Sequence, residues 1–356
     1  MTMSNIESRP WVTVVIATYN SSRFLPKLAK ALDEQTRPDA VGSMEILAID
    51  GGSTDNTRVL AEKFGFKVLE NSAGHAIAAK HIGLLSASSR LVCFLDHDEL
   101  FTTKTALMDR YLLFNKYHNL RAMISAGYLF SSRDSTSNMY ASEFGDPVSM
   151  QSYRCPNNAE FRIKSLSRRL QVEASDGRAV LLRASSETKP ILCEMAAGSG
   201  VVDVDYFRQM FPNITMEENI VPHLYYLLGR EQETDLLGVI DGDFVSHDSA
   251  DNWKTVRKKI SWRINNAINS TDIAGSGLSG RSHSEMYLPK RQLLKFGLYC
   301  LSIIGPLLDS VYLAVTRKRI GYLNHFFLTY FVIFETIRLK LGVKLKGKAI
   351  GRYGED

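Results

Sequence analysis

Two carboxylates separated by one residue follow an apolar run near residue 95. The run Leu91–Leu95 (LVCFL) has the composition of a buried strand, and Asp96-His97-Asp98 comes directly after it, followed by Glu99. Carboxylates beside a buried strand are costly unless a positive charge meets them. Oxygen ligands of this kind suit Mg²⁺ or Mn²⁺, and such an ion would stabilise a departing diphosphate. The pattern therefore predicts a metal and diphosphate site.

Two further polar loops contain residue types that suit close approach to a ligand. Asp50–Asp55 reads Asp-Gly-Gly-Ser-Thr-Asp; its glycines let a backbone approach a ligand, and Ser53 or Thr54 is suited to cap the next helix. Taken alone, this loop is equally well explained as a tight turn between a strand and a helix. Thr18-Tyr19-Asn20 follows the apolar run Val12–Ile16.

The elements around these loops predict a mostly parallel sheet. Apolar runs typical of buried strands alternate with helical spacing over the first hundred residues. The predicted strands are Val12–Ile16, Glu45–Ile49, Lys67–Leu69 and Leu91–Leu95, and the predicted helices follow Ser22, Asp55 and Gly74. Such alternation is typical of βαβ units, in which ligands bind beyond the carboxyl ends of the strands. All three polar loops are expected at that edge.

The ordered set of loops resembles glycosyltransferase family 2. The likeness is strong over Val12–Leu100 and weaker over Gly198–His247. It implies an inverting enzyme with a GT-A fold, which is an α/β fold with a mostly parallel, doubly wound sheet and helices on both faces. It also implies a nucleotide-sugar donor, UDP-linked as the family default. By the resemblance, the donor-binding residues are Thr18, Tyr19, Asn20, Asp50, Gly51, Lys80 and Asp96.

The same resemblance implies the metal ligands. Asp98 would bind Mn²⁺ or Mg²⁺, Asp96 would contact ribose or metal, and His247 resembles a histidine that many relatives place near the metal or diphosphate. A structural histidine is the alternative for His247. Two positions depart from the family pattern, because Gly51 replaces a second Asp and Lys80-His81 replaces Arg-Asn. These departures leave the donor open.

A carboxylate ahead of a helix is the base that the resemblance implies. Glu218, eleven residues before Gly229, fits that position, and Glu217 remains a rival. The base would take the proton of the acceptor hydroxyl while its oxygen attacks the anomeric carbon, so that one displacement inverts the configuration. Acidic residues at a helix N-terminus are also favourable to the helix dipole, which is the plain alternative.

The sequence pattern is less regular in the regions expected to face the acceptor. Polar residues and prolines interrupt Ser131–Ala197, which is predicted to be a variable insertion facing the acceptor and contains Asp146. A basic helix, Thr255–Ile268, places Arg257 and Lys258 where they would meet a lipid-linked diphosphate, a membrane surface or only solvent. No Gln-x-x-Arg-Trp follows Glu218, so we expect transfer of a single sugar rather than polymer synthesis.

Charge concentrates in the C-terminal tail of the 356-residue chain. Residues 290–356 hold 12 Lys and Arg against 4 Asp and Glu, a net charge of +8 in a chain whose total is +5. Two apolar stretches, Leu293–Val315 and Tyr322–Ile337, lie between these basic clusters. Apolar helices with basic flanks predict amphipathic helices that lie on or re-enter a membrane. An ordinary helical pair packed on the domain is the alternative.

Other features indicate the cellular compartment and argue against other classes of protein. The N-terminus lacks a signal peptide's apolar core, and four scattered cysteines suit a reducing compartment, so we expect the cytoplasmic side of the inner or plasma membrane. A nicotinamide-binding protein needs G-x-G-x-x-G after the first strand, where this sequence reads Thr18-Tyr19-Asn20-Ser21-Ser22 without a glycine, and no Walker A motif is present. The aliphatic runs of the tail favour lipid over nucleic acid.

The predicted organisation has three parts. Residues 1–125 form the donor half, residues 126–250 the acceptor and catalytic half, and residues 251–356 a basic, membrane-associating region. The predicted function is single-sugar transfer to a lipid-linked or cell-surface glycan. The alternative is a catalytically degenerate scaffold in a membrane complex that assembles glycans. Oligomeric state does not follow from the sequence.

Overall fold

The computed structural model describes residues 9–39, 42–183, 195–215, 220–221, 224, 228, 234–269 and 290–346. The chain divides into two compact units. The first unit comprises Met1–Gly127, Leu170–Ser185 and Glu194–Ser246, and the second comprises Tyr128–Arg169, Ser186–Cys193 and His247–Asp356.

Strands and helices alternate over the first hundred residues, as predicted. The strands are β1 Val12–Thr18, β2 Met44–Asp50, β3 Lys67–Glu70, β4 Leu91–Asp96, β5 Glu99–Phe101, β6 Leu120–Ile124, β7 Gln171–Asp176, β8 Ala179–Arg183, β9 Val201–Asp203, β10 Leu236–Ile240 and β11 Val245–His247. The helices are α1 Leu25–Asp33, α2 Thr57–Lys63, α3 Ala76–Ser86, α4 Ala106–Lys116, α5 Thr136–Phe144, α6 Pro147–Tyr153, α7 Arg162–Ser167, α8 Val204–Met210, α9 Trp253–Asn269, α10 Lys290–Leu301, α11 Ile304–Thr316 and α12 Asn324–Lys346, with a 3₁₀ helix at Ile320–Leu323.

A nine-stranded sheet forms the centre of the first unit. Its strand order is β3-β2-β1-β4-β9-β6-β10-β8-β7, and β5 and β11 form a separate two-stranded sheet. Strand β1 pairs in parallel with β2 and β4, as β10 does with β6. Strand β9 is antiparallel to both of its neighbours, and β8 is antiparallel to β10 and β7. The predicted α/β class with a mostly parallel sheet is confirmed.

Helices cover both faces of this sheet because successive side chains of a buried strand point to opposite sides. Val14 and Ile16 of β1 belong to one core with Leu28 of α1 and Phe114 of α4. Val15 points to the other face, where Gly83 of α3 packs directly on it. Helices on both faces were expected, and the structure has them.

The second unit has a core of its own, built from helices. Its buried side chains come from α5, α6 and α9–α12, and Tyr140, Val256, Leu313 and Leu328 are among them. The predicted C-terminal helices are present.

Three predicted segments differ from the structure. The region Ser131–Ala197 is not irregular, because it contains α5–α7 and a hairpin, β7 and β8, that extends the main sheet. Strand β7 is mostly exposed, so its side chains lack the apolar signal of a buried strand. The predicted strand Gly238–Val245 is two strands separated by a turn at Gly242, which has a φ of +88°.

The apolar stretch Leu293–Val315, predicted to be an apolar helix or a re-entrant hairpin around Pro306, consists of two helices, and the break lies before Pro306. It breaks between α10 and α11, whose axes differ by 86°. The predicted helix Met216–Leu228 and the glycine-rich segment Gly275–Gly280 lie largely or wholly outside the described residues.

Gly83 offers a test of the packing between α3 and β1. A Cβ at this position would lie 2.2 Å from Val15 Cγ1. Overpacking of this kind costs about 1–3 kcal/mol, more than the roughly 1 kcal/mol that alanine gains over glycine in a helix. We expect Gly83→Ala to lower the free energy of unfolding, measured by urea denaturation.

Gly297 of α10 is the matched control, because nothing lies within 4 Å of a Cβ placed there. Gly297→Ala is expected to raise the free energy of unfolding by up to about 1 kcal/mol. If Gly83→Ala were as stable as the unaltered protein, the close packing of α3 on β1 would be wrong.

Candidate active site

The register of three strands brings the predicted polar loops together. Thr18, the last residue of β1, is the partner of Asp50, the last residue of β2. One residue earlier on β1, Ala17 is the partner of Asp96, the last residue of β4. The carboxyl ends of the three strands therefore meet at one edge of the sheet, where open α/β sheets bind ligands.

Asp50 organises the loop that follows it. Its carboxylate accepts hydrogen bonds from the backbone N–H groups of Gly52 and Ser53, at 3.1 and 3.0 Å. It also accepts bonds from the hydroxyls of Ser53 and Thr18, at 2.5 and 3.2 Å. Asp50 is 1% exposed. The residue predicted to hold the nucleoside thus also shapes its own loop, and a donor would meet the loop that Asp50 supports.

Hydrogen bonds fasten the first loop to the second. The N–H of Asn20 donates to Ser53 Oγ at 2.9 Å, and Asn20 Oδ1 accepts from the N–H of Thr54 at 2.9 Å. Asn20 has a φ of +46°, in the left-handed region that asparagine tolerates better than most residues. The N–H of Ser22 donates to Asp55 at 3.1 Å. Both loops therefore form one surface.

Gly51, which stands where the family has a second Asp, is not required by the backbone. A Cβ there would lie 3.5 Å from the Gly74 oxygen, an ordinary van der Waals distance, and its φ lies outside the left-handed region. Gly52 is different, because its φ of +91° favours glycine. No steric constraint therefore requires glycine at position 51.

Lys80 neutralises the first carboxylate of the Asp96-His97-Asp98 turn. Its Nζ lies 2.6 Å from Asp96 Oδ1, and the lysine side chain is only 7% exposed while the aspartate side chain is 30% exposed. The ring of His97 turns away toward the Ala17 oxygen, 3.3 Å from Nδ1. Asp98, half-buried, occupies the turn between β4 and β5. Two predicted donor residues, Lys80 and Asp96, are thus in direct contact.

These side chains suit a metal that arrives with a diphosphate. Within the residues that the structure describes, no three His, Cys, Asp or Glu side chains converge into a metal site. Asp96 and Asp98 still offer the hard oxygen atoms that Mg²⁺ and Mn²⁺ prefer, and Mg²⁺ sites often use one or two carboxylates with the remaining ligands from phosphate and water. The residues therefore fit such an ion.

Glu99 holds this turn against the loop before β9. It is fully buried, and its carboxylate accepts the N–H of Asp96 at 3.0 Å and the N–H of Gly198 at 2.9 Å. A carboxylate that accepts backbone N–H groups makes strong, charge-assisted hydrogen bonds. The last acid of the cluster in the sequence is therefore a support for the turn.

Arg110 was missed by the sequence analysis. It is 1% exposed on α4, and its guanidinium binds Asp243 at 2.6 Å, Ser199 Oγ at 2.9 Å and the Ser199 carbonyl. Burial opposes its charge, but the adjacent Asp243 carboxylate outweighs burial and raises the pKa of Arg110. The available signal was an arginine at a position that shares the buried face of α4 with Leu107 and Phe114.

Burial shifts the pKa values of two side chains near the site. Burial lowers the pKa of His81, which replaces the family's Asn; its Nε2–H donates to the Thr215 carbonyl at 2.8 Å. Burial raises the pKa of the Cys93 thiol to about 12, so it is not a thiolate near neutral pH. Thiolate chemistry at Cys93 is thereby excluded.

Other predicted site residues belong to the second unit. The ring of His247 stacks on Tyr128 with centroids 4.7 Å apart. Asp146 accepts the N–H of Ser149 at 2.8 Å, which makes it the N-cap of α6, and lies 3.5 Å from Arg263. Arg257 and Lys258 are exposed on α9. Glu217 and Glu218 lie outside the described residues. The roles of all of these remain predictions.

The match to a known family covers the strands and loops described above. Residues 13–154 match the model of Glycosyl transferase family 2. Over these residues the chain is similar to glycosyltransferase family 2. The match includes the polar loops after β1, β2 and β4, and together with the observed sheet it confirms the predicted GT-A fold.

Curated relatives are similar to part of this chain. Glycosyltransferase AglE of Haloferax volcanii is 30% identical over 95 residues, which are 25% of this chain and 31% of that protein. The poly(ribitol-phosphate) beta-N-acetylglucosaminyltransferase TarS of Staphylococcus aureus is 27% identical over 113 residues, which are 30% of this chain and 19% of that protein. The chain thus spans less than a third of the length of these relatives.

The solved structures are less similar in sequence than these relatives, but the match covers most of the chain. S. aureus TarS 1–349 in complex with UDP is 13% identical and covers 96% of this chain and 93% of its own, with a TM-score of 0.44. Mannosyltransferase PcManGT of Pyrobaculum calidifontis, in complex with GDP-Man and Mn²⁺, is 12% identical and covers 94% of this chain and 88% of its own, with a TM-score of 0.48. At these scores the likeness carries no weight for function.

Glu99 provides a test of how the family 2 turn is supported. In Glu99→Gln, an amide NH₂ would face one of the two backbone N–H groups that the carboxylate now accepts. Replacing a buried, charge-assisted hydrogen bond by a contact between two donors costs about 1–3 kcal/mol. We expect the free energy of unfolding to fall by that amount in urea denaturation. Glu62→Gln, on an exposed face of α2, is the control, and equal stability of the two variants would contradict the supporting role.

Proposed function

We propose that this protein is an inverting glycosyltransferase that moves one sugar from a nucleotide sugar to a hydroxyl of an acceptor. One observation carries the proposal. The loop that Asp50 organises and the Lys80–Asp96 pair, with Asp98 beside it, lie at the carboxyl ends of adjacent parallel strands. A surface shaped for a nucleoside thus adjoins carboxylates suited to a metal-bound diphosphate.

The nucleoside would lie against the joined first and second loops. Asp50 is committed to its own loop, so its contribution to donor binding is to hold the backbone of residues 51–53 in place. Tyr19 is half-buried and Asn20 exposed, which leaves both side chains within reach of a ligand on that surface. Rigid loops reduce the conformational entropy that binding would otherwise cost.

Asp96 and Asp98 would hold Mn²⁺ or Mg²⁺ beside the diphosphate. When bound, such an ion neutralises the negative charge that develops on the departing nucleoside diphosphate. Lys80 orients Asp96 through their 2.6 Å contact. Its buried position lets the lysine add positive charge at this edge of the sheet where water screens it least. A protonated acid for the leaving group is then unnecessary.

The acceptor hydroxyl requires one base. We assign this role to Glu218, with Glu217 as the rival. The base takes the hydroxyl proton as the acceptor oxygen bonds to the anomeric carbon, and the bond from that carbon to the diphosphate oxygen breaks on the opposite face. The proton ends on the glutamate and the electron pair on the diphosphate, so a single displacement inverts the configuration.

We further propose a UDP-sugar as donor and a lipid-linked or cell-surface glycan as acceptor, at the cytoplasmic side of the inner or plasma membrane. The basic, apolar tail supports a membrane location. The S. aureus relative is by name a glycosyltransferase of poly(ribitol-phosphate), in keeping with such an acceptor. His247, Asp146, Arg257 and Lys258 are proposed to serve the metal, the diphosphate or the acceptor.

The alternative is a degenerate family member that acts as a scaffold. The missing carboxylate at Gly51 favours it, because the structure leaves steric room for a side chain there. A scaffold would give no turnover under any metal condition.

Asp98→Asn tests the proposed metal and donor site. We expect donor binding, measured by calorimetry across UDP-, GDP- and dTDP-sugars, to require Mn²⁺ or Mg²⁺ and to be abolished by chelator. Because the amide removes one negative charge from the ion's site, turnover should fall about 100-fold or more. Asp33→Asn is the control, since Asp33 is an exposed aspartate that lies 3.6 Å from Arg37. Metal-independent binding, or no binding by the folded protein, would contradict the proposal.

Glu218→Gln and Glu217→Gln test the base separately. A glutamine keeps the size of the side chain but accepts no proton, so loss of the base should reduce turnover by about 100- to 10,000-fold. Donor affinity should be unchanged in the same variant. Release of nucleoside diphosphate with a hydroxyl acceptor is the measurement. Full activity in both variants would exclude either glutamate as the base.

A further inference from the structure

Exposed apolar side chains concentrate in the C-terminal helices of the second unit. Among the described residues, five large apolar side chains elsewhere in the chain are exposed, and fifteen lie between Leu294 and Leu341. Single exposed apolar residues are normal on a soluble protein, but a contiguous group marks an interaction surface. The question is what covers this surface.

Helix α11 is apolar on two sides. One stripe is buried in the second unit and contains Pro306 and Leu313. The opposite stripe is 45–69% exposed, and its residues are Leu307, Leu308, Val311, Tyr312 and Val315. A helix that is apolar all round needs an apolar environment on each side. The described part of the second unit supplies one of them.

The corner between α10 and α11 is both strained and apolar. The two helices differ in direction by 86°, and Ile303 at the corner has a φ of +56°. This conformation is unfavourable for a β-branched residue. The corner nevertheless exposes Leu301 by 79%, Ile303 by 57% and Ile304 by 65%. A strained, projecting corner with three apolar side chains has the form of an insertion tip.

The charges in this region are positive where they are exposed. Lys295, Lys318 and Lys340 are exposed. The two acids between 294 and 341 are engaged inside the unit: Asp309 pairs with Arg154 at 2.8 Å, and Glu335 with Arg338 at 2.6 Å. Exposed lysines beside apolar side chains suit a surface that is apolar below and anionic above.

Helix α12 is tied to the second unit along one face. The helical segment Ile320–Gly342 includes the preceding 3₁₀ helix and most of α12. Among the described residues it is the one single helix that is long and apolar enough to cross a membrane, with a mean hydropathy of 1.2 over its most apolar window. However, a hydrogen bond of 2.7 Å joins His325 Nδ1 and the Tyr140 hydroxyl, and the Glu335 carboxylate accepts a hydrogen bond from the Ser261 hydroxyl. A crossing α12 would break these contacts. Its exposed stripe is Phe327, Phe334, Ile337 and Leu341.

We propose that α10–α12 dock the second unit in the plane of an anionic lipid bilayer, with the corner Leu301–Ile304 and the exposed stripe of α11 among the acyl chains. The exposed lysines would then lie at the lipid phosphates. Helix α12 packs on α11 and exposes an apolar stripe of its own. This surface does not depend on the transferase activity, and no sugar donor is needed to test it.

Flotation of the full-length protein with preformed vesicles tests this surface. The vesicles contain phosphatidylcholine alone or with phosphatidylglycerol. We expect flotation with the anionic vesicles, weakened by salt. The triple variant Leu301→Ser, Ile304→Ser and Leu308→Ser should lose about tenfold or more in partitioning. The matched control is Val59→Ser, Leu112→Ser and Val172→Ser, which changes exposed apolar side chains of the first unit and should float as the unaltered protein does.

The charge contribution has its own variant. Lys295→Gln, Lys318→Gln and Lys340→Gln together should remove the preference for anionic vesicles while keeping the thermal unfolding midpoint. Because all the altered side chains are exposed, an unchanged midpoint in the corner variant shows that lost flotation is not unfolding. Equal flotation of the corner variant and the control variant would overturn the proposal. Concentration-dependent dimerisation that the corner variant abolishes, without vesicle binding, would overturn it in favour of a second copy of this chain.

Discussion

The parallel register of β2, β1 and β4 is the constraint on which the candidate site depends. Neighbouring strands lie about 4.8 Å apart, and the pairing of Thr18 with Asp50 and of Ala17 with Asp96 sets the two aspartates one residue apart along the same edge of the sheet. Since side chains alternate between faces, a slip of one residue would turn each of them to the opposite side. Continuous apolar strands covered on both faces make such a slip costly.

Behind that edge, buried charges hold the loops. Arg110 with Asp243, and Glu99 with two backbone N–H groups, fasten the loop around Ser199 to the turn at Asp96. Buried charges are expensive unless each is paired and hydrogen-bonded, and breaking one partner leaves the other uncompensated. The first unit therefore has a rigid support beneath a more exposed surface, which is what precise placement of a diphosphate requires.

The second unit combines buried polar groups with exposed apolar side chains. Its interior contains hydrogen-bonded polar groups: Tyr322 donates to Glu143 at 2.6 Å, and Arg317 pairs with the same carboxylate. Its C-terminal helices present leucine, isoleucine and phenylalanine outward. Satisfied polar networks specify how helices pack, and here they leave the apolar side chains available for an external environment.

The sequence by itself determined the elements whose signals are local. The apolar runs of β1 and β4, the helical spacing between them and the polar loops at their ends were all readable, because a strand buried on both faces is apolar throughout. These features also carried the family resemblance. The net positive charge of the tail was likewise a property of composition.

Only the tertiary structure decided which partners the individual side chains bind. The hydrogen bond from Thr18 to Asp50, the pairing of Lys80 with Asp96 and the partnership of Arg110 with Asp243 join residues that are separated in the chain. The exposed hairpin of β7 and β8 joined the sheet through pairing with β10, for which its own side chains give little signal. The break at Ile303 was equally hidden, since the apolar run continues across it. Local patterns report burial and periodicity, whereas pairing over long distances in the sequence is decided only when the strands and helices have packed.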